Sequence, residues 1–200
     1  MTAPIDFYFD FSSPYGYIAA HQIDAIAERH GRTVTWHPYL LGVVFKKTGG
    51  TPLHGIPMKG DYVRVDLARA ARRQGVPIGL PKPFPFTSVA AARAFYWLCD
   101  RDEAAAKTLA IALLSASFAG GRDISGTKAV AAIAEGLGHD RAEVLAALGN
   151  TAVKQRLRKE VDAAMARGVF GSPYMIVDGE PFWGIDHLDL LDQWLDTGGW

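Results

Sequence analysis

Apolar and polar residues alternate strictly from Ile5 to Phe11, which predicts a β-strand with its apolar side chains on one face. The alternation stops at Ser12-Ser13-Pro14. Proline favours the first position of a helix, and serine is a good residue just before it. From Tyr15 to about His30, apolar residues recur at helical spacing. The chain therefore opens with a predicted strand, a tight turn and a helix.

This turn presents the Ser13 hydroxyl and several free backbone N–H groups at the start of the helix. A helix N-terminus carries partial positive charge, so it is a ready site for an anion. Ser13 also has a purely structural interpretation, because serine is a common helix cap. The turn alone does not decide between these two interpretations, and a second motif far along the chain is needed.

Beyond this turn, the pattern predicts three more strands and a series of helices. The strands are expected at residues 33–37, 174–177 and 181–183, and Asp178-Gly179 predicts a hairpin between the last two. The helices are expected at residues 40–48, 61–74, 87–100 with Thr87 as cap, 102–118, 127–136, 140–148 and 150–167, with a last one that begins at Asp186. Four prolines between Val76 and Phe86 favour an extended, polyproline-like segment.

This order of elements is β-α-β, a helical block, and then α-β-β-α. It predicts an α/β protein with a thioredoxin-like fold that carries an inserted all-helical domain. The opening strand, helix and strand imply a parallel pair with a right-handed crossover. Residues 1–40 and 150–200 are expected to form the thioredoxin-like domain, and residues 41–149 the helical insertion domain.

The composition narrows the class of protein. The 200 residues are 49% apolar and 21% charged, so an ordered globular chain with a sizeable core is expected. Lys plus Arg and Asp plus Glu balance at 21 each, and zero net charge argues against a nucleic-acid-binding face. The N-terminus lacks the pattern of a secretory signal, and no apolar run of about 18 residues would span a membrane. A cytoplasmic protein is the expectation.

Cys99 is the only cysteine, so neither an intrachain disulfide nor a Cys-x-x-Cys motif is possible. It falls on an apolar helical face, which favours packing over a nucleophilic role. A disulfide oxidoreductase is excluded, because one cysteine cannot cycle an intramolecular dithiol. The histidines have no metal-ligand spacing, so no metal site is predicted.

Two motifs at opposite ends of the chain resemble those of a known family. Residues 9–17, Phe-Asp-Phe-Ser-Ser-Pro-Tyr-Gly-Tyr, resemble the strand-to-helix motif of DsbA-like thioredoxin folds. Those proteins carry Cys-Pro-x-Cys there, and Ser13 and Gly16 fall on the two cysteine positions. Residues 171–174, Gly-Ser-Pro-Tyr, resemble the loop with a cis-proline that faces this motif, and residues 182–186 complete the set.

A serine at the redox-cysteine position, together with this loop, resembles the 2-hydroxychromene-2-carboxylate isomerases and their relatives, the kappa-class glutathione transferases. Residues 61–67, followed by Gly-Val-Pro at 75–77, resemble the isomerase branch. The resemblance implies glutathione as cofactor, with Ser13 donating a hydrogen bond to its sulfur. It also implies that the backbone of Ser172, just before a cis Pro173, pairs with the tripeptide as a short antiparallel strand. The residues that it assigns to the γ-glutamyl end are Trp183, Gly184, Ile185 and Asp186.

The implied reaction is an isomerisation. A glutathione thiolate would add to a conjugated double bond of a 2-hydroxychromene-2-carboxylate-like substrate. The resulting single bond would rotate, and elimination would leave the trans-o-hydroxybenzylidenepyruvate-like product. The partner is therefore a small aromatic carboxylate, and a cation should lie near its carboxylate. The candidates are Lys46, Lys47, His54 and Lys82. Leu53 and His54 stand where some relatives have Asn and Arg, and relatives are often homodimers.

Other interpretations stay open. The same pocket would serve a kappa-type glutathione transferase or peroxidase, and a redox-inactive thioredoxin-fold binding module needs no chemistry at all. At single positions, Asp186 is equally suited to cap a helix, Trp183 to fill the core, and Pro173 to be a feature of the fold. The combination of a serine at the cysteine position, the proline loop and the terminal aspartate favours the glutathione site.

Overall fold

The computed structural model describes residues 3–200, and its centre is a mixed four-stranded sheet in the order β2-β1-β3-β4. The strands are β1 (Ile5–Phe9), β2 (Val34–Pro38), β3 (Tyr174–Val177) and β4 (Glu180–Trp183). β1 and β2 are parallel, as the helical crossover between them predicts, and the other two pairings are antiparallel. The hairpin at Asp178-Gly179 is confirmed. Both residues have positive φ, 52° and 90°, as the favoured two-residue hairpin turns require.

Ten α-helices lie within residues 3–200. They are α1 (Pro14–Ala20), α2 (Ile23–Arg29), α3 (Leu41–Thr48), α4 (Lys59–Arg73), α5 (Val89–Cys99), α6 (Glu103–Phe118), α7 (Thr127–Glu135), α8 (Arg141–Gly149), α9 (Thr151–Ala166) and α10 (Leu188–Thr197). Two 3₁₀ turns, Leu53–Gly55 and Ile185–His187, complete the regular structure. Residues 41–149 contain helices and no strand, so the predicted thioredoxin-like fold with a helical insertion is confirmed. The division into two domains at residues 40 and 150 stays a prediction.

Several predicted boundaries at the N-terminal end are wrong. β1 ends at Phe9 rather than Phe11, because the chain turns at Asp10, whose carbonyl accepts from the Ser13 N–H at 2.9 Å. The single helix expected up to His30 is two helices, α1 and α2. At their junction the N–H groups of His21 and Gln22 bond to carbonyls only three residues earlier, which tightens the turn and redirects the chain.

Two expected helix caps need correction. Ser88, not Thr87, is the N-cap residue of α5. Asp186 lies in a 3₁₀ turn, and His187 is the N-cap residue of α10. Residues 76–86 form neither helix nor strand, in agreement with the expectation that no helix forms there, and the peptide bonds before Pro83 and Pro85 are cis.

The core begins on one face of the sheet and continues into the insertion. Phe7 and Phe9 stack with their ring centroids 5.2 Å apart, and Trp36 of β2 meets the edges of both. Phe9 also contacts Phe95 of α5 edge-on, with centroids 6.4 Å apart. The aromatic face of β1 thus anchors α5, and one hydrophobic cluster spans the sheet and the helical insertion. Within residues 3–200, no helix combines the length and apolarity needed to cross a bilayer.

Candidate functional site

Ser13 caps α1 and at the same time contacts the loop before β3. Its Oγ accepts from the Gly16 N–H at 3.0 Å, which is the predicted cap interaction. The same hydroxyl donates to the Ser172 carbonyl at 2.9 Å. The side chain is 6% exposed. The two motifs that the sequence placed 159 residues apart therefore meet at this hydroxyl.

The loop that contains Pro173 is held by hydrogen bonds from three other segments. The Ser172–Pro173 peptide bond is cis. The buried Tyr39 hydroxyl donates to the Gly171 carbonyl at 2.6 Å, and the Asp10 N–H donates to Ser172 Oγ at 2.9 Å. At the far side, the Gly184 N–H donates to the Pro173 carbonyl at 3.1 Å. Among residues 3–200 the Ser172 N–H has no acceptor, so one backbone donor of this loop stays free.

Two glycines permit close approaches around this loop. A Cβ added to Gly16 would lie 2.7 Å from Ser172 Oγ, so a side chain at the second cysteine position of the DsbA motif would collide with Ser172. At Gly171 an added Cβ would overlap the indole ring of Trp183. Trp183 therefore supports the loop from the side of β4, while it remains 54% exposed and packs its ring against Phe170.

Asp10 is a buried carboxylate that was not among the predicted site residues. It is 1% exposed, and Oδ1 accepts from both the N–H and the hydroxyl of Ser12, at 2.7 and 2.8 Å. Its Oδ2 accepts from the Leu41 N–H at 2.7 Å, at the first residue of α3. The available signal was its place just before Ser-Ser-Pro, where an aspartate often accepts from the N–H two residues on. Asp10 thus joins the Ser13 turn to the start of the insertion.

Ser13 faces a cavity of about 800 Å³ between the first turn and the insertion. Residues 10–16 and 171–173 are called the turn wall below, although of these only residues 10 and 12–15 line the cavity. The opposite side, called the insert wall, consists of α3, residues 52–54, α4 and residues 80–89. Its lining is mainly apolar and aromatic side chains, among them Leu41, Phe45, Leu67, Phe84 and Phe86.

Three of the four predicted cations line this cavity together with Ser13, namely Lys46, His54 and Lys82. Lys47 does not line it. The His54 ring lies 4.9 Å from the ring of Phe84, centroid to centroid. Arg64 of α4 also lines the cavity and was missed, because its helix was recognised only as an apolar-faced segment. The cavity is therefore apolar with basic groups along the insert wall.

Tyr15 lines this cavity and also interacts with Asp186, one of the residues predicted for the γ-glutamyl end. Its hydroxyl donates to Asp66 Oδ2 of α4 at 2.7 Å, which links the turn wall to the insert wall. Burial, with a further contribution from Asp66, raises the pKa of Tyr15 well above its ordinary value, and Asp186 contributes in the same direction.

Trp183, Gly184, Ile185 and Asp186 do not line the cavity. The 3₁₀ turn Ile185–His187 packs against α1, and the Asp186 carboxylate is 79% exposed, with Oδ1 3.6 Å from His187 Nδ1. The predicted site thus has two parts, which meet at the first turn of α1.

Comparisons with known proteins agree with this geometry. The profile of the DSBA-like thioredoxin domain matches residues 4–196. The chain is 31% identical to 2-hydroxychromene-2-carboxylate isomerase of Pseudomonas putida, over 94% of this chain and 92% of that protein. It is 29% identical to glutathione S-transferase kappa 2 of Caenorhabditis elegans, over 96% and 91% respectively. A solved structure of a selenomethionine 2-hydroxychromene-2-carboxylate isomerase superposes with a TM-score of 0.88 at 30% identity, covering 96% of this chain and 94% of that one.

A thioredoxin fold with a helical insertion and a cis-proline loop facing the first turn of α1 defines the DsbA-like class. The chain belongs to the DsbA-like thioredoxin domain family and, within it, to the group that contains the 2-hydroxychromene-2-carboxylate isomerases. The names of these relatives support an enzymatic function, related to isomerisation or to glutathione.

Proposed function

We propose that this protein is a glutathione-dependent cis-trans isomerase that converts 2-hydroxychromene-2-carboxylate-like substrates to trans-o-hydroxybenzylidenepyruvate-like products. The observation that carries the proposal is the position of the Ser13 hydroxyl, at the N-terminus of α1 and on the wall of a largely apolar cavity with basic groups. The names of the relatives supply the reaction class.

The cis-proline loop offers polar groups that fit glutathione. The Ser172 N–H, free of any acceptor within residues 3–200, is available to pair with the tripeptide backbone in the manner of an added strand. Trp183, Gly184, Ile185 and Asp186 would hold the γ-glutamyl end. The exposed carboxylate of Asp186 suits the ammonium group of that end, since a charge-assisted hydrogen bond is stronger than a neutral one.

Ser13 and the first turn of α1 act on the sulfur. An ordinary thiol has a pKa of about 8.5, so little thiolate exists at neutral pH. The positive end of the helix and a hydroxyl donor both favour the anion, and each unit of pKa depression corresponds to about 1.4 kcal/mol. To donate to sulfur, the Ser13 hydroxyl turns its proton away from the Ser172 carbonyl, while the Gly16 N–H keeps the oxygen in place.

When bound, glutathione supplies a nucleophile that adds reversibly to the conjugated double bond, so that this bond can rotate. The protein's part is to hold the substrate beside Ser13. The apolar lining of the cavity suits an aromatic ring, and Lys46, Arg64, His54 and Lys82 are the basic groups available to its carboxylate. The asymmetry of the cavity, with Ser13 on the turn wall and the cations on the insert wall, would orient such a substrate.

A kappa-type glutathione transferase or peroxidase is the second candidate. The 29% identity to a kappa-class transferase over nearly the full length of both chains favours it specifically. Such an enzyme would bind the glutathione sulfur at the same site. The thiol would then be consumed in the reaction instead of being released at its end.

The test is an absorbance assay of the isomerisation of 2-hydroxychromene-2-carboxylate with purified protein, with and without glutathione. The expected result is turnover that requires glutathione without consuming it, and a loss of about 100-fold in kcat for Ser13→Ala, as for removal of one donor to a developing anion. Consumption of glutathione in proportion to product would favour the transferase. Turnover that is unchanged without glutathione would refute the proposal.

A further inference from the structure

The N-terminus of α5 lies at the cavity and lacks a side-chain cap. Ser88 is its N-cap residue, but the Ser88 hydroxyl accepts no hydrogen bond from the first turn. Among the described helices whose N-cap is serine, aspartate or asparagine, the other four caps accept such a bond. The N–H groups of Val89, Ala90 and Ala91 have no acceptor within residues 3–200, and the first bonded N–H is that of Ala92. Three backbone donors of this turn are therefore unused.

This unpaired helix end is buried. Ser88 is 4% exposed, and Ala90 and Ala91 are 5% and 0% exposed. Ser88 and Val89 line the cavity, and in the described part of the chain the Ser88 hydroxyl neither donates nor accepts a hydrogen bond. Buried polar groups are nearly always paired. A buried hydroxyl and a helix N-terminus that both lack partners at one cavity therefore indicate a ligand that bonds to them.

The ligand that suits these donors is an anion. A helix N-terminus carries partial positive charge, and its N–H groups and the Ser88 hydroxyl can all donate hydrogen bonds. Lys46, Arg64 and Lys82 line the same cavity. Among residues 3–200, Asp10 is the only carboxylate that lines it, and its oxygens already accept three hydrogen bonds. The lining of the cavity thus favours a negatively charged group at the insert wall.

The start of α3 shows how a carboxylate fits a helix end at this cavity. There the Asp10 carboxylate accepts from the Leu41 N–H at 2.7 Å. No side chain of residues 3–200 takes the corresponding place at α5. The segment that leads into α5 instead contributes the rings of Phe84 and Phe86 to the lining, which suit an aromatic body attached to the anion.

We propose that the N-terminus of α5 binds the carboxylate of the aromatic substrate, through the Ser88 hydroxyl and the free N–H groups of the first helical turn. The inference rests on the proposed function for the identity of the ligand. It deepens that function by assigning the carboxylate to fixed, buried donors. The exposed cations of the insert wall then add only a weak attraction, because solvent screens them.

The test is a calorimetric titration, without glutathione, of two probes that share a ring system and differ in the charge of one substituent, chromone-2-carboxylate and chromone-2-carboxamide. The wild type is compared with Ser88→Ala, which removes the hydroxyl. It is also compared with Ser88→Asp, which offers the free N–H groups a carboxylate of the protein itself. Ser117→Ala is the control, because Ser117 is a buried serine that does not line the cavity. Urea denaturation establishes that each variant is folded.

The expected result is that Ser88→Ala binds chromone-2-carboxylate about tenfold more weakly, because a hydrogen bond to a charged group is lost. Ser88→Asp should weaken this binding at least as much, since its carboxylate occupies the N–H groups and repels the probe. Ser117→Ala should keep the wild-type affinity, and the carboxamide should bind the wild type more weakly than the carboxylate does. The inference is overturned if Ser88→Ala keeps the wild-type affinity for the carboxylate, or if the wild type does not prefer the carboxylate to the carboxamide.

A parallel titration with glutathione separates the substrate carboxylate from the glycine carboxylate of the tripeptide. Ser88→Ala should bind glutathione with wild-type affinity. If this variant weakens glutathione but not the chromone probe, the helix end holds the tripeptide and the inference is overturned. Failure of the proposed function is distinguishable, because it is measured as the glutathione-dependent isomerisation by the wild type. Isomerisation together with probe binding that does not depend on Ser88 would refute the inference alone.

Discussion

The turn wall and the insert wall differ in how firmly their side chains are held. On the turn wall, Ser13, Asp10 and the loop at Ser172 are buried or half-buried and joined by hydrogen bonds of 2.7 to 3.0 Å. On the insert wall, Lys46 and Lys82 are exposed and, within residues 3–200, form no ion pair. Arg64 is also exposed, and the carboxylate of Asp61 lies 3.8 Å from its guanidinium group.

This difference matches the two tasks of the proposed function. Stabilising an anionic sulfur needs donors fixed in advance, because preorganised groups need not rearrange during the reaction. Accommodating an aromatic carboxylate needs an apolar surface and adaptable cations, which long side chains on a loosely bonded wall provide. The turn wall would therefore define the chemistry and the insert wall the choice of substrate.

The largest expected effect is on the turn wall. Asp10→Asn should lower the free energy of unfolding by about 3 kcal/mol, because an amide cannot accept all three hydrogen bonds that the buried carboxylate accepts. Urea denaturation measures the change. Asp61→Asn, at an exposed aspartate, is the control and should change stability by less than about 0.5 kcal/mol. Equal effects for the two variants would contradict the account of Asp10.

A smaller loss of stability is expected at the junction between the two walls. Tyr15→Phe removes the hydrogen bond to Asp66 Oδ2 at 2.7 Å and is expected to cost about 1 kcal/mol. Tyr62→Phe is a matched control, because the exposed Tyr62 hydroxyl lies 3.4 Å from Asp66 Oδ1. Thermal unfolding of both variants measures the difference. If Tyr62→Phe proves as costly as Tyr15→Phe, the junction does not depend on the buried bond.

Behind the turn wall, His37 of β2 gives the stability a pH dependence. Burial alone would lower the pKa of His37, but the hydrogen bond to Asp6 at 3.0 Å and the carboxylate of Glu160, 3.9 Å from Nδ1, outweigh it and raise the pKa. The stabilisation is thus fully present below about pH 6.5, the usual histidine pKa, and is lost as the pH rises through the raised value. At the acid end it fades as Glu160, whose pKa is lowered by the nearby His37, becomes protonated.

His37→Gln should therefore cost about 1 kcal/mol near pH 6 and distinctly less at about pH 8.5. Urea denaturation at both pH values gives the comparison, and His139→Gln provides a control, since the His139 side chain has no ionic partner within residues 3–200. A cost for His37→Gln that grows towards high pH would show that the sign of the linkage is wrong.

The smallest effect is expected on the insert wall. Lys46→Gln should raise KM for an aromatic carboxylate substrate about threefold, with kcat nearly unchanged, because an exposed cation contributes little to binding. Lys47→Gln is the matched control, since Lys47 is the neighbour of Lys46 in α3 but does not line the cavity. Steady-state kinetics of the two variants decide the matter. A fall in kcat for Lys46→Gln would place this lysine in the chemical step and end the division of tasks between the walls.

Local patterns predicted much of the fold and part of the site. The turn and cap at Ser13, and the hairpin at Asp178-Gly179, depend on neighbouring residues and were predicted correctly. The strand before the turn was predicted two residues too long. The break after α1 was missed, because apolar spacing continues through His21 and Gln22 although the backbone turns there.

Residues that act across the chain were not predictable in the same way. The Tyr39 hydroxyl donates a hydrogen bond to the carbonyl of Gly171, 132 residues away. Asp10 forms hydrogen bonds with Leu41 and with the Ser172 loop. Neither role is visible in a local pattern. Arg64 was missed for the same reason, since only the packing of α4 brings it to the cavity. The family resemblance predicted Ser172 and Pro173 as site residues, but the geometry of the contact between this loop and Ser13 follows only from the folded chain.

The most direct test of the central claim is the thiol pKa of glutathione bound to the wild type and to Ser13→Ala, measured by ultraviolet absorbance with calorimetry to establish saturation. We expect the wild-type protein to lower this pKa below its usual value of about 8.5, and Ser13→Ala to raise it most of the way back by removing a donor to the sulfur. A bound thiol whose pKa is the same in both proteins would contradict the account, because Ser13 would then be only the cap of α1.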